Sequence, residues 1–223
     1  MAFSEFFLTN AALSDILTAS IDLDTDTFYA KLFAGAQTPA AADATLADWS
    51  ANECTSTDYP GAVNLATPSI VATGKERGWH FGNANFGASV TISAKYLGVF
   101  KGSSASPVST DRLMGWSDLS VAQTAITAIT QANPGQTTAA GHGLSTGANV
   151  AILGSDMPEA NRVITTATVI DVNTLTLDST DLSAADLPGR TGYLINLDNT
   201  SEAASTSGSY NIAVQARGIM VWG

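Results

Sequence analysis

Residues 139–147 carry the side chains in this chain that most resemble a reactive site; they read Ala-Ala-Gly-His-Gly-Leu-Ser-Thr-Gly. His142 is one of two histidines in the chain, and Ser145 follows it closely. A serine hydrolase needs a serine nucleophile, a histidine base within hydrogen-bond reach and a carboxylate that orients the base. Residues 143–147 also match the Gly-x-Ser-x-Gly order of a nucleophile elbow.

The surroundings of Ser145 favour a structural interpretation of this segment. A nucleophile elbow joins a strand to a helix, whereas here strand-like sequence lies on both sides and no helical pattern follows. Glycines readily adopt positive φ, so Gly141, Gly143 and Gly147 are more simply explained as turn residues. The sequence therefore predicts that the chain is not an enzyme and has no catalytic residues. An enzyme that acts through Ser145, such as a depolymerase, is the less favoured alternative.

Three further groups of residues have features of metal or cofactor sites. Residues 22–26 read Asp-Leu-Asp-Thr-Asp, like the start of a calcium loop, but Thr27 and Phe33 occupy the positions that need Gly and Glu. A looser calcium site or a solvated turn are the remaining interpretations. His80, His142 and Cys54 are too few to form a zinc site. Residues 82–87 lack the lysine of a phosphate-binding loop. The prediction is no metal and no cofactor.

Aromatic side chains are the candidate contact residues. Such side chains stack on sugars, anchor protein interfaces or fill cores. Trp116 and Trp222 lie in apolar strand-like runs and are predicted to fill the core. For an interface the candidates are Trp49, Tyr59, Trp79, Phe6 and Phe7.

Composition narrows the classes of partner. Of the 223 residues 13% are charged and 45% are hydrophobic, and the net charge is −11. Clustered cations are what bind phosphate backbones and anionic lipid, so neither nucleic acid nor membrane is an expected partner. The N-terminus lacks a signal-peptide pattern and no apolar run is long enough to span a membrane, which predicts synthesis in the cytoplasm. With Cys54 alone, no internal disulfide can form.

Most of the periodic segments in the first half of the chain have the alternating pattern of a strand. A helix is expected near the N-terminus, with Ser4 as its N-cap and Phe6, Leu13 and Ile16 on one face. The predicted strands of the first half lie around residues 27–33, 63–72, 77–81, 89–93, 96–100 and 113–116.

The pattern of residue types along the chain changes near residue 124. Residues 124–197 hold five or six short β-branched runs separated by turn residues, which predicts a small β-barrel or sandwich. Residues 199–209 read as a polar bridge, and residues 210–214 and 218–222 read as strands like those of the first half. We therefore expect a mainly β fold: a discontinuous β-sandwich-like host domain (1–123 plus 198–223) with an N-terminal helix, and an inserted β module (124–197).

The inserted segment resembles a small β module that recurs in phage tail and head proteins. The resemblance covers about 50 residues and departs at one turn, where Ala148 or Asn149 replaces the usual Asp. In those proteins the module is a structural or binding insertion and not an enzyme. The matching residues are Ile126-Thr127, Asn133-Pro134, 141–144, Gly147-Ala148, 150–152, Met157 with Asn161, and 169–177.

The flanking segments resemble a group of phage virion proteins. Residues 96–102, 113–119, 207–214 and 218–222 follow the order of strands in that group. The resemblance implies a virion protein that decorates and stabilises the capsid, made in the bacterial cytoplasm, with the major capsid protein or other virion proteins as partners. A homotrimer is implied because decoration proteins often occupy threefold positions. The alternative is a tail fibre or tail accessory protein that binds a host-surface glycan or another tail protein.

Overall fold

The computed structural model describes residues 6–73, 76–119, 123–161, 163–199, 202–208, 211–212 and 220–222. The fold is mainly β, as predicted, with 37% of residues in strands. The chain divides into two compact units. Unit 1 consists of Met1–Gln37, Ala42–Val121 and Thr200–Gly223, and unit 2 consists of Thr38–Ala41 and Ala122–Asn199.

Unit 1 contains one α-helix, two short 3₁₀ turns and twelve strands in its described residues. In chain order these are β1 (Phe7–Leu8), α1 (Asn10–Leu17), β2 (Phe28–Phe33), the 3₁₀ turns Leu46–Asp48 and Ser50–Asn52, β3 (Val63–Asn64), β4 (Ser69–Thr73), β5 (Glu76–His80), β6 (Ala84–Asn85), β7 (Val90–Ala94), β8 (Tyr96–Lys101) and β9 (Arg112–Asp118), then after unit 2 β17 (Ala203–Gly208), β18 (Asn211–Ile212) and β19 (Met220–Trp222).

A five-stranded antiparallel sheet in the order β1-β9-β8-β2-β3 is the centre of unit 1. All six residues of β2 are buried, so both faces of the sheet are covered. Successive side chains of a strand point to opposite faces. One face contributes Phe28, Ala30 and Leu32 to a large apolar core. The other face carries Phe33, whose ring lies 5.0 Å from that of Trp49.

The helix α1 begins later than the sequence analysis predicted. Its N-cap is Thr9, whose Oγ1 accepts a hydrogen bond from the Ala12 N–H at 3.2 Å and donates one to the Leu113 carbonyl at 2.8 Å. Phe7 belongs instead to β1, which pairs with β9 and stacks the Phe7 ring 4.9 Å from that of Trp116. The predicted cap Ser4 lies outside the described residues. Pairing with β9 competes with helix formation here, and local periodicity does not reveal it.

The last segments of the chain pair with strands that precede unit 2. β17 pairs with β7, β18 with β6 and β19 with β5, all antiparallel. The interpretation of residues 199–209 as a polar bridge was therefore wrong for β17. Strand pairing uses backbone groups, so a Ser- and Thr-rich segment pairs well when a partner strand is available.

Unit 2 is built from seven strands in one antiparallel sheet. The strands are β10 (Gln123–Ala125), β11 (Ala128–Ile129), β12 (Gly135–Thr138), β13 (Ala148–Leu153), β14 (Ile164–Val169), β15 (Thr174–Leu177) and β16 (Tyr193–Asn196). Their order in the sheet is β10-β16-β13-β14-β15-β12-β11. The two strands at the ends of this order, β10 and β11, are separated by two residues in sequence, so the sheet curves back toward itself as a half-barrel. Its core includes Val150, Ile152 and Leu175.

Candidate interaction surface

Two loops of unit 2 meet at one end of its sheet. One loop, residues 141–147, lies between β12 and β13, and the other, residues 170–173, joins β14 to β15. Thr138 is paired with Thr174, and the Ala139 N–H donates to the Asn173 carbonyl at 2.8 Å. The antiparallel pairing of β12 with β15 therefore brings these loops side by side. We call the two loops together the tip.

Hydrogen bonds from three residues hold the tip together. The Gly141 N–H donates to Asn173 Oδ1 at 3.0 Å. His142 Nδ1 accepts from the Leu144 N–H at 3.1 Å, and His142 Nε2 lies 3.1 Å from the Asp171 carbonyl oxygen. Because Nδ1 is an acceptor and a carbonyl can only accept, the proton of the neutral ring is on Nε2. His142 thus uses both ring nitrogens to position backbone.

Ser145 does not combine with His142 as a nucleophile with its base. Its side chain is exposed and its carbonyl oxygen accepts from the Ala148 N–H at 3.1 Å. Within the described residues no hydrogen bond joins Ser145 Oγ to the histidine ring, both of whose nitrogens are engaged. Nucleophilic activation needs that contact. The geometry of the segment is that of a turn.

The glycines of the tip adopt the conformation that the sequence analysis predicted. Gly141 has φ of 63° and Gly143 has φ of 64°, in the left-handed region. A Cβ atom at either position would meet no atom within 4 Å. Backbone conformation, rather than crowding, therefore explains glycine here.

The loop 170–173 contributes two exposed apolar side chains. Ile170 is 53% exposed and Val172 is 68% exposed. Asp171 Oδ1 accepts from the Asn173 N–H at 2.7 Å and from the Thr174 N–H at 2.9 Å. These two hydrogen bonds fix the conformation of the loop. Neither Ile170 nor Val172 is among the contact candidates predicted from the sequence; the available signal was apolar side chains flanking turn residues. The tip thus presents apolar groups on a hydrogen-bonded frame, an arrangement suited to contact with another protein surface.

Most aromatic candidates belong to the core of unit 1. Trp49 and Trp79 are fully buried and Phe7 is 4% exposed. Trp49 Nε1 donates to Asp43 Oδ2, and Trp79 Nε1 donates to the Leu23 carbonyl, each at 2.8 Å. Buried rings with satisfied N–H groups have no face available to a glycan or partner. The structure thus corrects their assignment as interface residues.

The two remaining candidates, Phe6 and Tyr59, are half-buried. Phe6 packs edge-on to Trp79 with ring centroids 6.4 Å apart. Tyr59 Oη accepts from the Leu32 N–H at 3.0 Å, and burial raises the pKa of its phenol far above the usual value. Both side chains support the core. Trp116 is buried as predicted, whereas the side chain of Trp222 lies outside the described residues.

The acidic segment 22–26 forms a turn that is bound to the rest of unit 1. Asp26 Oδ2 accepts from the Asp22 N–H at 2.8 Å and makes an ion pair with Lys101 Nζ at 2.8 Å. A hydrogen bond with Asp24 lowers the pKa of Asp22. Across the described part of the chain, no three His, Cys, Asp or Glu side chains are grouped as a metal site requires. His80, the other metal candidate, is half-buried at the end of β5.

A polar depression of about 380 Å³ lies beside this turn, and its charges are internally paired. Arg112 Nε contacts Asp15 Oδ2 at 2.6 Å. Tyr29 Oη donates to Asp111 Oδ2 at 2.7 Å, and burial together with that carboxylate raises the pKa of Tyr29 strongly. Because its cations are paired with carboxylates, the residues that line the depression form a network that connects α1 to the β8–β9 hairpin.

None of the described helices is long and apolar enough to span a membrane. No known family model and no curated protein matches the chain.

Proposed function

We propose that this chain is a structural virion protein of a bacteriophage that binds the capsid as a decoration protein. The observation that carries the proposal is the construction of the tip. Two of the segments responsible for the resemblance to the phage module, 141–144 and 169–177, lie about 30 positions apart, yet Gly141 and His142 hydrogen-bond directly to Asn173 and Asp171, respectively. Because the two segments hydrogen-bond to each other, their residue types are explained by a structural role in the tip.

Contact with a protein lattice fits the rest of the tip. Ile170 and Val172 are both exposed, and they flank Asp171 in a turn whose polar groups are already hydrogen-bonded. Such groups lose little hydrogen bonding when a partner covers them, and the buried apolar area favours association. In this proposal the major capsid protein is the partner, the tip of unit 2 makes the contact, and several copies occupy the particle.

The alternative is a tail fibre or tail accessory protein that binds a host-surface glycan or another tail protein. Its glycan-binding form needs an exposed ring at Trp49, Tyr59 or Trp79. Because Trp49 and Trp79 are fully buried and Tyr59 is half-buried, the burial of these rings favours the capsid role over glycan binding.

Cryo-electron microscopy of the phage particle that carries this chain tests the proposal. Density for the chain at regular positions on the shell is the expected result, and density confined to the tail would contradict it. A binding assay sharpens the test. Purified chain is mixed with shells that lack it, and Ile170→Asp/Val172→Asp is compared with the wild type. The double variant should lose shell binding, whereas Val108→Asp, an equally exposed apolar position in unit 1, should keep it.

A further inference from the structure

In the part of the chain that the structure describes, the strand β4 lies at an open sheet edge of unit 1. It is the end strand of the three-stranded sheet β19-β5-β4, and β5 is the one described strand that pairs with it. Among the described residues, Ser69–Thr73 make no other main-chain hydrogen bond. Such an edge is a template for an added strand, and proteins usually protect it with charges, proline or a bulge inside the strand.

None of these protections occurs within β4. Its sequence is Ser-Ile-Val-Ala-Thr, without a charge or a proline, and its register with β5 is regular from Ser69 to Thr73. Ile70 is 40% exposed and Val71 is 41% exposed. Neighbouring side chains in a strand point to opposite faces, so β4 is apolar and solvent-exposed on both faces. This combination is typical of an edge that is covered in an assembly.

The backbone direction identifies which groups are available. Two residues connect β4 to β5, and in such a hairpin the closing pair, Thr73 and Glu76, exchanges hydrogen bonds. Alternation then directs the N–H and C=O groups of Ile70 and Ala72 toward the open edge.

We infer that β4 pairs antiparallel with β4 of a second copy of this chain, about a twofold axis at Val71. In that register Ile70 of each copy lies opposite Ala72 of the other, so the outward groups match one another and form about four main-chain hydrogen bonds. Ser69 lies opposite Thr73. No charged residue faces another charge within the paired strands, which removes the local obstacle to self-association for a chain of net charge −11.

The size of the contact predicts its strength. A five-residue edge buries less than the roughly 1,200 Å² of a stable interface, so the dimer should be weak and concentration-dependent. The overall negative charge opposes association at long range, and salt screens it beyond about 10 Å. Raising the ionic strength should therefore strengthen the dimer. This inference does not depend on the proposed function.

Sedimentation velocity of the full chain tests it. The weight-average mass should rise from 22.9 kDa toward twice that value between about 1 µM and about 1 mM protein, and more steeply in high salt. Val71→Lys puts two like charges at the axis, and Ile70→Pro removes an outward N–H without touching the pairing with β5. Both variants should remain at the monomer mass. Val108→Lys, at another exposed apolar residue, should dimerise like the wild type.

Near-UV circular dichroism of the buried tryptophans identifies any variant that has lost its fold, in which case the other variant decides. A wild type that stays at 22.9 kDa throughout overturns the inference. So does association that a folded Val71→Lys or Ile70→Pro variant leaves unchanged, including a trimer, because another surface would then be responsible.

Discussion

His142 Nε2 lies 3.1 Å from the carbonyl oxygen of Asp171, a residue 29 positions further along the chain. Together with the bond from the Leu144 N–H to Nδ1, this contact makes the histidine a connector between two loops. An imidazole with both nitrogens bound to backbone is unable to serve as a base for Ser145 without breaking the tip.

The connector role predicts how substitutions at the tip rank. His142→Ala and Asn173→Ala each remove a hydrogen-bond acceptor from a backbone N–H, and each should lower the free energy of unfolding by about 1 kcal/mol. Ser145→Ala, at an exposed side chain, should change it by less than about 0.5 kcal/mol. Urea unfolding of unit 2, followed by circular dichroism, measures the three values. A loss for Ser145→Ala as large as for His142→Ala would contradict the assignment.

Gly141 should tolerate asparagine better than alanine. Its φ of 63° costs an alanine about 1–2 kcal/mol, although open space surrounds the position. Asparagine adopts the left-handed region more readily, so Gly141→Asn should be less destabilising than Gly141→Ala. Urea midpoints of both variants measure the difference. Equal losses would mean that something other than backbone conformation selects glycine there.

Trp49 should behave as a core residue. Its ring is fully buried and contacts Phe33, with centroids 5.0 Å apart. Trp49→Ala should destabilise unit 1 by about 3–5 kcal/mol through the cavity it leaves. Val108→Ala, at a side chain that is 52% exposed, is the control and should have little effect. Guanidinium unfolding measures both, and a stable Trp49→Ala variant with impaired partner binding would restore the interface interpretation.

Removing one partner of the Lys31–Glu53 ion pair should lower the free energy of unfolding more than replacing both partners. Lys31 Nζ contacts both carboxylate oxygens, at 2.6 and 2.7 Å, and the two side chains are 10% and 25% exposed. Lys31→Met leaves a partly desolvated carboxylate, so we expect a loss of about 2–3 kcal/mol, below the range for fully buried pairs. The double variant Lys31→Met/Glu53→Gln should recover part of that loss. A double-mutant cycle, measured by urea unfolding, gives the coupling free energy between Lys31 and Glu53. Additive effects of the two substitutions would contradict the predicted coupling.

Acid should weaken unit 1 through Asp48. N–H groups of Ala44 and Thr45, each 2.9 Å from Asp48 Oδ2, lower the pKa of this carboxyl group. Because the folded pKa lies below the unfolded value of about 3.9, the stabilisation is present above that pH and is lost as the pH falls through the folded pKa. Unfolding midpoints between about pH 7 and pH 3 should therefore fall less steeply for Asp48→Asn than for the wild type.

Glu159→Gln, at an exposed side chain, is the control for loss of charge alone and should keep the wild-type slope. An unchanged slope in Asp48→Asn would show that other carboxyl groups dominate. Hydrogen bonds from Arg190 and from Ser183, respectively, lower the pKa values of Asp156 and Asp181 too, but both residues lie in unit 2 and would affect the unfolding of that unit.

Local sequence patterns predicted most strands because their cause is local. Alternating apolar residues around Phe28 and the β-branched run at Val150 specify extended chain, and turn residues separate the runs. The positive φ of Gly141 followed from residue type for the same reason. Sequence by itself thus determined the mainly β class and the turn character of the 141–147 segment.

The features that local patterns did not predict depend on partner strands and neighbouring aromatic rings that are remote in sequence. Phe7 became a strand residue because β9 offers a pairing edge, and the polar β17 became a strand because β7 does. Trp49 lies against Trp116, 67 positions away, so its burial is invisible to any local pattern. Only the tertiary structure brings the Asp171 carbonyl to His142 and leaves β4 with β5 as its one partner strand among the described residues, because both depend on which distant segments the pairing of strands brings together.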